Sequence, residues 1–153
     1  MKKISSSMTF FYKKVFPTLW FGGLSIFLIY SIISPGEIDN NTPFPDYIFP
    51  LIMMIFGYFL FKYLVFDLAD EVYDEGMNLL FKKGKKEARI KLTDIKNISY
   101  SESSQPPRVT VSSRTETPLG SDIKFIPVTN IIPFGGNKKI NELIDRVDRA
   151  RQL

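Results

Sequence analysis

Two apolar stretches limit what this chain can fold into. Val15–Ile33 reads VFPTLWFGGLSIFLIYSII and carries no charge; Tyr47–Phe66 reads YIFPLIMMIFGYFLFKYLVF and carries one, Lys62. As a helix the first would run about 28 Å, close to the roughly 30 Å of a bilayer's hydrocarbon core. The competing reading, two buried helices of a soluble protein, fits poorly, because 153 residues leave little else to wrap around them. The mean hydropathy of -0.01 hides this, since it averages an oily half with a polar half.

The expected organisation is therefore a basic tail (1–14), a transmembrane helical hairpin (15–66, spans 15–33 and 47–66, outside loop 34–46) and a C-terminal domain (67–153). Lys2, Lys3, Lys13 and Lys14 precede the first span, whereas 34–46 holds Glu37, Asp39 and Asp46 and no basic residue. Lysines flanking membrane helices stay on the cytoplasmic side. This predicts a multi-pass protein of the bacterial inner membrane with both termini cytoplasmic. The run after Lys14 is long for a cleaved signal and lacks an A-x-A-like site, so an uncleaved anchor is expected. Phe10, Phe11 and Tyr12 beside Lys13 and Lys14 suit the headgroup layer, and Lys62 sits where its ammonium can snorkel outward. Pro17 and Pro50 fall in the first turns of their expected helices, where a missing N–H costs little. Gly22, Gly23 and Gly57 are the expected helix-packing positions, since small residues let helices approach closely. They also leave a homo-oligomer open.

Past Phe66 the period changes from helical to two. Strands are expected at Asp70–Asp74, Asn78–Lys83, Lys86–Leu92, Lys96–Ser101, Arg108–Ser112 and Asp122–Val128. In Lys86–Leu92, for example, Ala88, Ile90 and Leu92 face one way and Glu87, Arg89 and Lys91 the other. Glu75-Gly76 and Gly84 mark turns. The last element reads as a helix: Asn137 is a suitable N-cap, and Ile140, Leu143, Ile144 and Val147 recur at i, i+3, i+4 and i+7. Glu142–Arg146 and Asp145–Arg149 have i,i+4 spacing. The soluble part is thus a small antiparallel β barrel or bent sandwich with a C-terminal α-helix packed on it, an α+β arrangement.

That order of elements is similar to a PH-like fold. The segments ADEVYDEG (Ala69–Gly76), ARIKLTDIKNIS (Ala88–Ser99), QPPRVTV (Gln105–Val111), DIKFIP (Asp122–Pro127) and ELIDRVDRAR (Glu142–Arg151) carry the resemblance further. With the hairpin, they resemble a group of small uncharacterised bacterial inner-membrane proteins that have two spans and a PH-like tail. The resemblance implies architecture; it brings no catalytic residue with it.

The chain has no Cys and no His, which removes disulfides, thiolate chemistry and the commonest general base and metal ligand. No Gly-rich phosphate loop or nucleophile–base pair is present. A non-enzyme without cofactor or metal is expected. From Asp67 on there are 15 basic and 13 acidic residues, too even a balance for nucleic acid. The acidic run Asp67, Asp70, Glu71, Asp74, Glu75 lacks the ligand spacing of a calcium loop and reads as a strand edge. The sharpest candidate is the basic hairpin Lys82, Lys83, Lys85, Lys86, Arg89, Lys91, which can contact anionic lipid or a partner, or can simply discourage edge pairing. Pro106-Pro107-Arg108 and Ile131–Gly136 are further loop candidates for docking. The expected function is a non-enzymatic membrane protein whose PH-like domain is a protein-interaction module, an accessory or scaffold subunit of a membrane assembly. The alternatives are an anionic-lipid sensor and, third, an oligomeric pore or transporter component, disfavoured because the spans offer only Ser, Thr and Tyr as polar groups.

Overall fold

The computed structural model describes residues 1–33, 45–104, 106–128 and 137–152. The chain forms two compact units: Met1–Thr9 together with Leu68–Leu153, and Phe10–Asp67. The architecture is α+β, with an N-terminal helical hairpin followed by antiparallel β-sheets and a C-terminal helix.

The hairpin consists of α1 (Met8–Ile33) and α2 (Ile48–Leu64). α1 has 26 residues and is long and apolar enough to cross a membrane; α2 is shorter. The first helix starts well before the expected span, so residues 8–14 are helical rather than part of a tail. Pro17 consequently lies inside a helix, not in its first turn. It has no N–H to give the carbonyl four residues back, and its ring crowds that carbonyl. The wider turn that relieves such crowding is present immediately upstream, where Phe11–Val15 is π-helical. Pro50 does lie in the first turn of α2. The two helices meet through aromatic rings: Phe61 lies 5.6 Å from Phe16, 6.4 Å from Trp20 and 5.9 Å from Phe21 between centroids.

The β unit holds two sheets. The first has the order β1 (Lys2–Lys3), β2 (Glu71–Asp74), β3 (Asn78–Lys83), β4 (Lys86–Lys91); the second has β5 (Ile95–Ser101), β6 (Arg108–Ser113), β7 (Asp122–Phe125). All six strands expected after Phe66 are present. β1 is an addition: Lys2 and Lys3 pair antiparallel with Asp74 and Tyr73. The tail expected over 1–14 is therefore divided between a strand and a helix. Alternation places Ala88 and Ile90 of β4, and Val109, Val111 and Ser113 of β6, on inner faces. The core is closed by Phe81 of β3 against Phe125 of β7, edge to face at 6.3 Å, so one aromatic pair joins the two sheets.

Residues 4–6 act as a seam. Ile4 N–H donates to the Val72 carbonyl (2.9 Å), and the Ser5 hydroxyl accepts from Val72 N–H (2.9 Å). On the other side, Ser6 N–H donates to Ile126 (2.8 Å) and Val128 N–H to Ile4 (3.0 Å). The Ala69 N–H bond to Lys124 (2.7 Å) continues the same seam. The two sheets are thus linked through residues from both ends of the unit. Ile4 is buried in the common core.

Helix α3 (Lys138–Arg151) lays Ile140, Leu143 and Val147 into that core, each at most 3% exposed, as its apolar stripe requires. Asn137 occupies the N-cap position, but its side chain does not cap. Its amide instead donates to the Val128 carbonyl (2.8 Å), while its backbone carbonyl takes the N–H groups of Ile140 and Asn141.

Candidate functional site

The basic hairpin is β3–β4. Lys83 and Lys86 face each other, and Gly84-Lys85 forms the two-residue turn. Gly84 has φ +59°, and no non-Gly residue among those described has positive φ, so the positive angle falls on the first turn residue alone. That is the position where a type II′ hairpin wants glycine. Asp70 fixes the tip by accepting Gly84 N–H at 2.6 Å.

The six cations do not form one patch. Lys82 stands opposite Glu87 and pairs with it at 3.2 Å, with its ammonium 5.8 Å from the centre of the Tyr73 ring. Glu87 raises the Lys82 pKa, so the ammonium stays charged but is matched. Arg89 pairs with Glu75 at 2.9 Å. Lys85 and Lys86 are exposed at the tip, without an ion pair among the described residues; Lys83 sits beside them. Lys91 is at the far end of β4, about 17 Å of strand from Lys86. The structure therefore gathers Lys83, Lys85 and Lys86 and separates the rest.

Four members of the acidic run, Asp70, Glu71, Asp74 and Glu75, hold contacts within the β unit. The Glu71 carboxylate accepts from Lys3 Nζ (2.7 Å) and from the Tyr73 hydroxyl (3.0 Å), which lower its pKa. Burial pushes the Asp74 carboxyl up, but the Arg146 guanidinium and the Gly76 N–H outweigh it, and its pKa falls. Arg146 grips Asp74 with two bonds, at 2.5 and 3.1 Å, and also donates to the Gly76 carbonyl. The i,i+4 spacing pointed Arg146 at Glu142; in the fold it reaches past that residue to the β2–β3 turn. Arg149 likewise donates to the Asp145 backbone carbonyl (3.2 Å), not to its carboxylate. Arg151 pairs with Asp148 (3.4 Å) and donates to the Ile95 and Lys96 carbonyls of β5. α3 is thus bolted to one sheet by Arg146 and to the other by Arg151. No sequence pattern announces contacts between residues so far apart in the chain.

Beside the Arg146 clamp lies a cleft of about 170 Å³ lined by Lys2, Ile4, Asp74, Lys139, Glu142, Leu143 and Arg146. It is smaller than the few hundred Å³ of ordinary ligand pockets, and its Arg146–Asp74 pair is already satisfied. Among the described residues no group of three His, Cys, Asp or Glu side chains could hold a metal ion.

The loop candidates separate too. Pro106 is buried and its carbonyl accepts from the Ser104 hydroxyl (3.2 Å), whereas Pro107 and Arg108 are half-buried. Ile131–Gly136 lies outside the described residues, as does most of the loop 34–46. Of the small residues in the hairpin, Gly57 is a packing position: a Cβ there would stand 2.6 Å from the Trp20 indole nitrogen. Gly22 and Gly23 are not packed on α2; a Cβ at either meets nothing within 4 Å.

Comparison with protein-family models, with curated proteins and with solved structures finds no match to this chain.

Proposed function

We infer that this chain is a non-enzymatic integral membrane protein whose β unit, of PH-like form, is a protein-interaction module held at the cytoplasmic face of a bacterial inner membrane, as an accessory or scaffold subunit of a larger assembly. The observation that carries the reading is the order of the segments along the chain, in which the helical hairpin interrupts the β unit. Residues 1–9 and 68–152 fold together, and Phe10–Asp67 forms a unit of its own between them. A chain that leaves and re-enters one folded unit must cross a bilayer an even number of times. α2, with 17 residues, reaches the lower end of the range for a membrane span, so two crossings are feasible. A cleaved signal is disfavoured for the same reason, because cleavage after α1 would strip β1 and the seam residues from the sheets they pair with. Four strands, then three strands, then a helix resembles the PH-like layout, with the hairpin inserted between β1 and β2.

The absence of cysteine makes the topology testable with single-cysteine variants. Asn40→Cys should react with an impermeant maleimide on intact cells, and Ser103→Cys only after permeabilisation. Labelling of Ser103→Cys on intact cells would reverse the orientation. For the module itself, the tagged full-length chain purified in mild detergent should carry one stoichiometric protein partner. A preparation holding only lipid would instead favour the lipid-sensing reading, for which the exposed Lys85 and Lys86 at the hairpin tip are the specific support.

A further inference from the structure

We propose that one end of the helical hairpin is a binding collar for anionic phospholipid headgroups, built from Phe10 and Lys14 on α1 and from Tyr58, Lys62 and Tyr63 on α2. The proposal rests on the membrane reading above and adds a ligand class to it. The ring contacts of Phe61 with Phe16 and Trp20 set the C-terminal part of α2 against the N-terminal part of α1. Lys14 and Lys62, each close in sequence to those rings, therefore lie at the same end of the hairpin. Lys13, Lys14 and Lys62 are all the basic residues that Phe10–Asp67 contains, so the opposite end has none.

The same device occurs on both helices. An aromatic at position i receives the ammonium of a lysine at i+4: Lys14 Nζ lies 5.4 Å from the centre of the Phe10 ring, and Lys62 Nζ lies 6.0 Å from that of Tyr58. Helical lysines lean back over the preceding turn, which brings each one to its ring. The rings are solvent-facing, with Phe10 61% and Tyr58 51% exposed, and Tyr63, next to Lys62 in sequence, is 79% exposed. A ring face attracts the ammonium but leaves its charge uncancelled and its N–H donors available. Among the described residues neither Lys14 nor Lys62 has a carboxylate partner, in contrast to Lys82, which is matched by Glu87. Two unmatched cations amid exposed aromatics complement a surface that is apolar beneath and phosphate-bearing above, the headgroup layer of a bilayer. Phosphates with net negative charge fit it better than zwitterionic ones. Each juxtamembrane lysine should then contribute about fivefold in preference, and the pair roughly 25-fold.

The test uses the full chain in vesicles of phosphatidylglycerol or of phosphatidylcholine, and native mass spectrometry of lipid retained from an equal mixture. Wild type should float with both kinds of vesicle and retain phosphatidylglycerol selectively, with the selectivity falling as salt is raised. K14Q/K62Q should still float but retain the two lipids near parity, whereas K85Q/K86Q should keep the wild-type selectivity. Parity in wild type, selectivity that survives K14Q/K62Q, or selectivity lost in K85Q/K86Q overturns the collar. Failure to float with either vesicle overturns the membrane reading itself.

Discussion

Helices α1 and α3 show how differently the two units treat apolar side chains. On α3 the apolar residues form one stripe, and Ile140, Leu143 and Val147 vanish into the core while Arg146 and Arg151 hold the edges. On α1 the apolar residues go all the way round, and Leu19, Ile26, Ile29 and Ile33 are each more than half exposed. A single stripe implies one apolar neighbour and water elsewhere; an apolar cylinder implies that its surroundings are themselves apolar. The β unit makes its own interior, whereas the hairpin is completed by what surrounds it.

The comparison breaks first at the middle of the hairpin. Ile26→Lys combined with Ile55→Lys places two charges where the hydrocarbon should be, at about 2.5–3.5 kcal/mol each, and should shift the chain out of the membrane fraction. Asn97→Lys, on an exposed position of β5, should leave the fractionation as it was. If the double variant stays in the membrane, α1 and α2 do not face lipid. Next comes the core of the β unit. Phe125→Ala removes half of the ring pair that joins the sheets and should cost about 3–5 kcal/mol, a large share of a small domain's stability. Hydrogen exchange of the β-strand amides in detergent would read it, and the α2 amides should not change.

The clamp on α3 comes third. Asp74→Asn leaves Arg146 without its carboxylate and should cost about 2–3 kcal/mol near neutral pH. Because the fold lowers the Asp74 pKa, wild type draws this stability above the ordinary aspartate range of about 4 and loses it as the pH falls through the lower folded value. The difference between wild type and variant should therefore shrink on acidification, as followed by thermal unfolding from pH 7 downward. A difference that is constant with pH would show that the pair is not the cause. The smallest effect concerns the two kinds of glycine. Gly57→Ala drives a methyl into Trp20 and should cost about 1–2 kcal/mol of helix–helix packing, visible as a shift of indole fluorescence. Gly22→Ala meets open space and should be neutral or slightly stabilising, since alanine is the better helix former.

The strands were legible because their patterns are local. Ala88 and Ile90 alternate with Glu87, Arg89 and Lys91, and that alternation alone identifies a half-buried strand and its inner face. α3 was legible through its stripe. What escaped was non-local. Lys2–Lys3 is too short to show a period, and its pairing with β2 depends on a partner across the whole hairpin. Arg146 has Glu142 one turn away, so local spacing favours the wrong carboxylate; the three-dimensional neighbour is Asp74. The basic hairpin was correctly read as charged and as a turn. Its division into matched and unmatched lysines follows from cross-strand register, which sets Glu87 opposite Lys82. The Gly22-Gly23 pair shows the limit of small residues as a guide, because composition says that a helix can approach closely and not that one does.

The seam has a consequence for how the protein is made. Lys2, Lys3, Ile4, Ser5 and Ser6 precede the hairpin in the chain, yet their partners, residues 72–74 and 126–128, follow it. Pairings so distant in sequence form late, because the intervening chain must first be brought back upon itself. Residues 2–6 wait, unpaired, until the hairpin has reversed and β7 has followed it. Closure of the β unit therefore requires that the hairpin return: on the membrane reading proposed above, a chain that crossed the bilayer once would carry β1 on the wrong side, and the seam could not form. On that reading, the order of the segments makes closure of the domain a check on insertion.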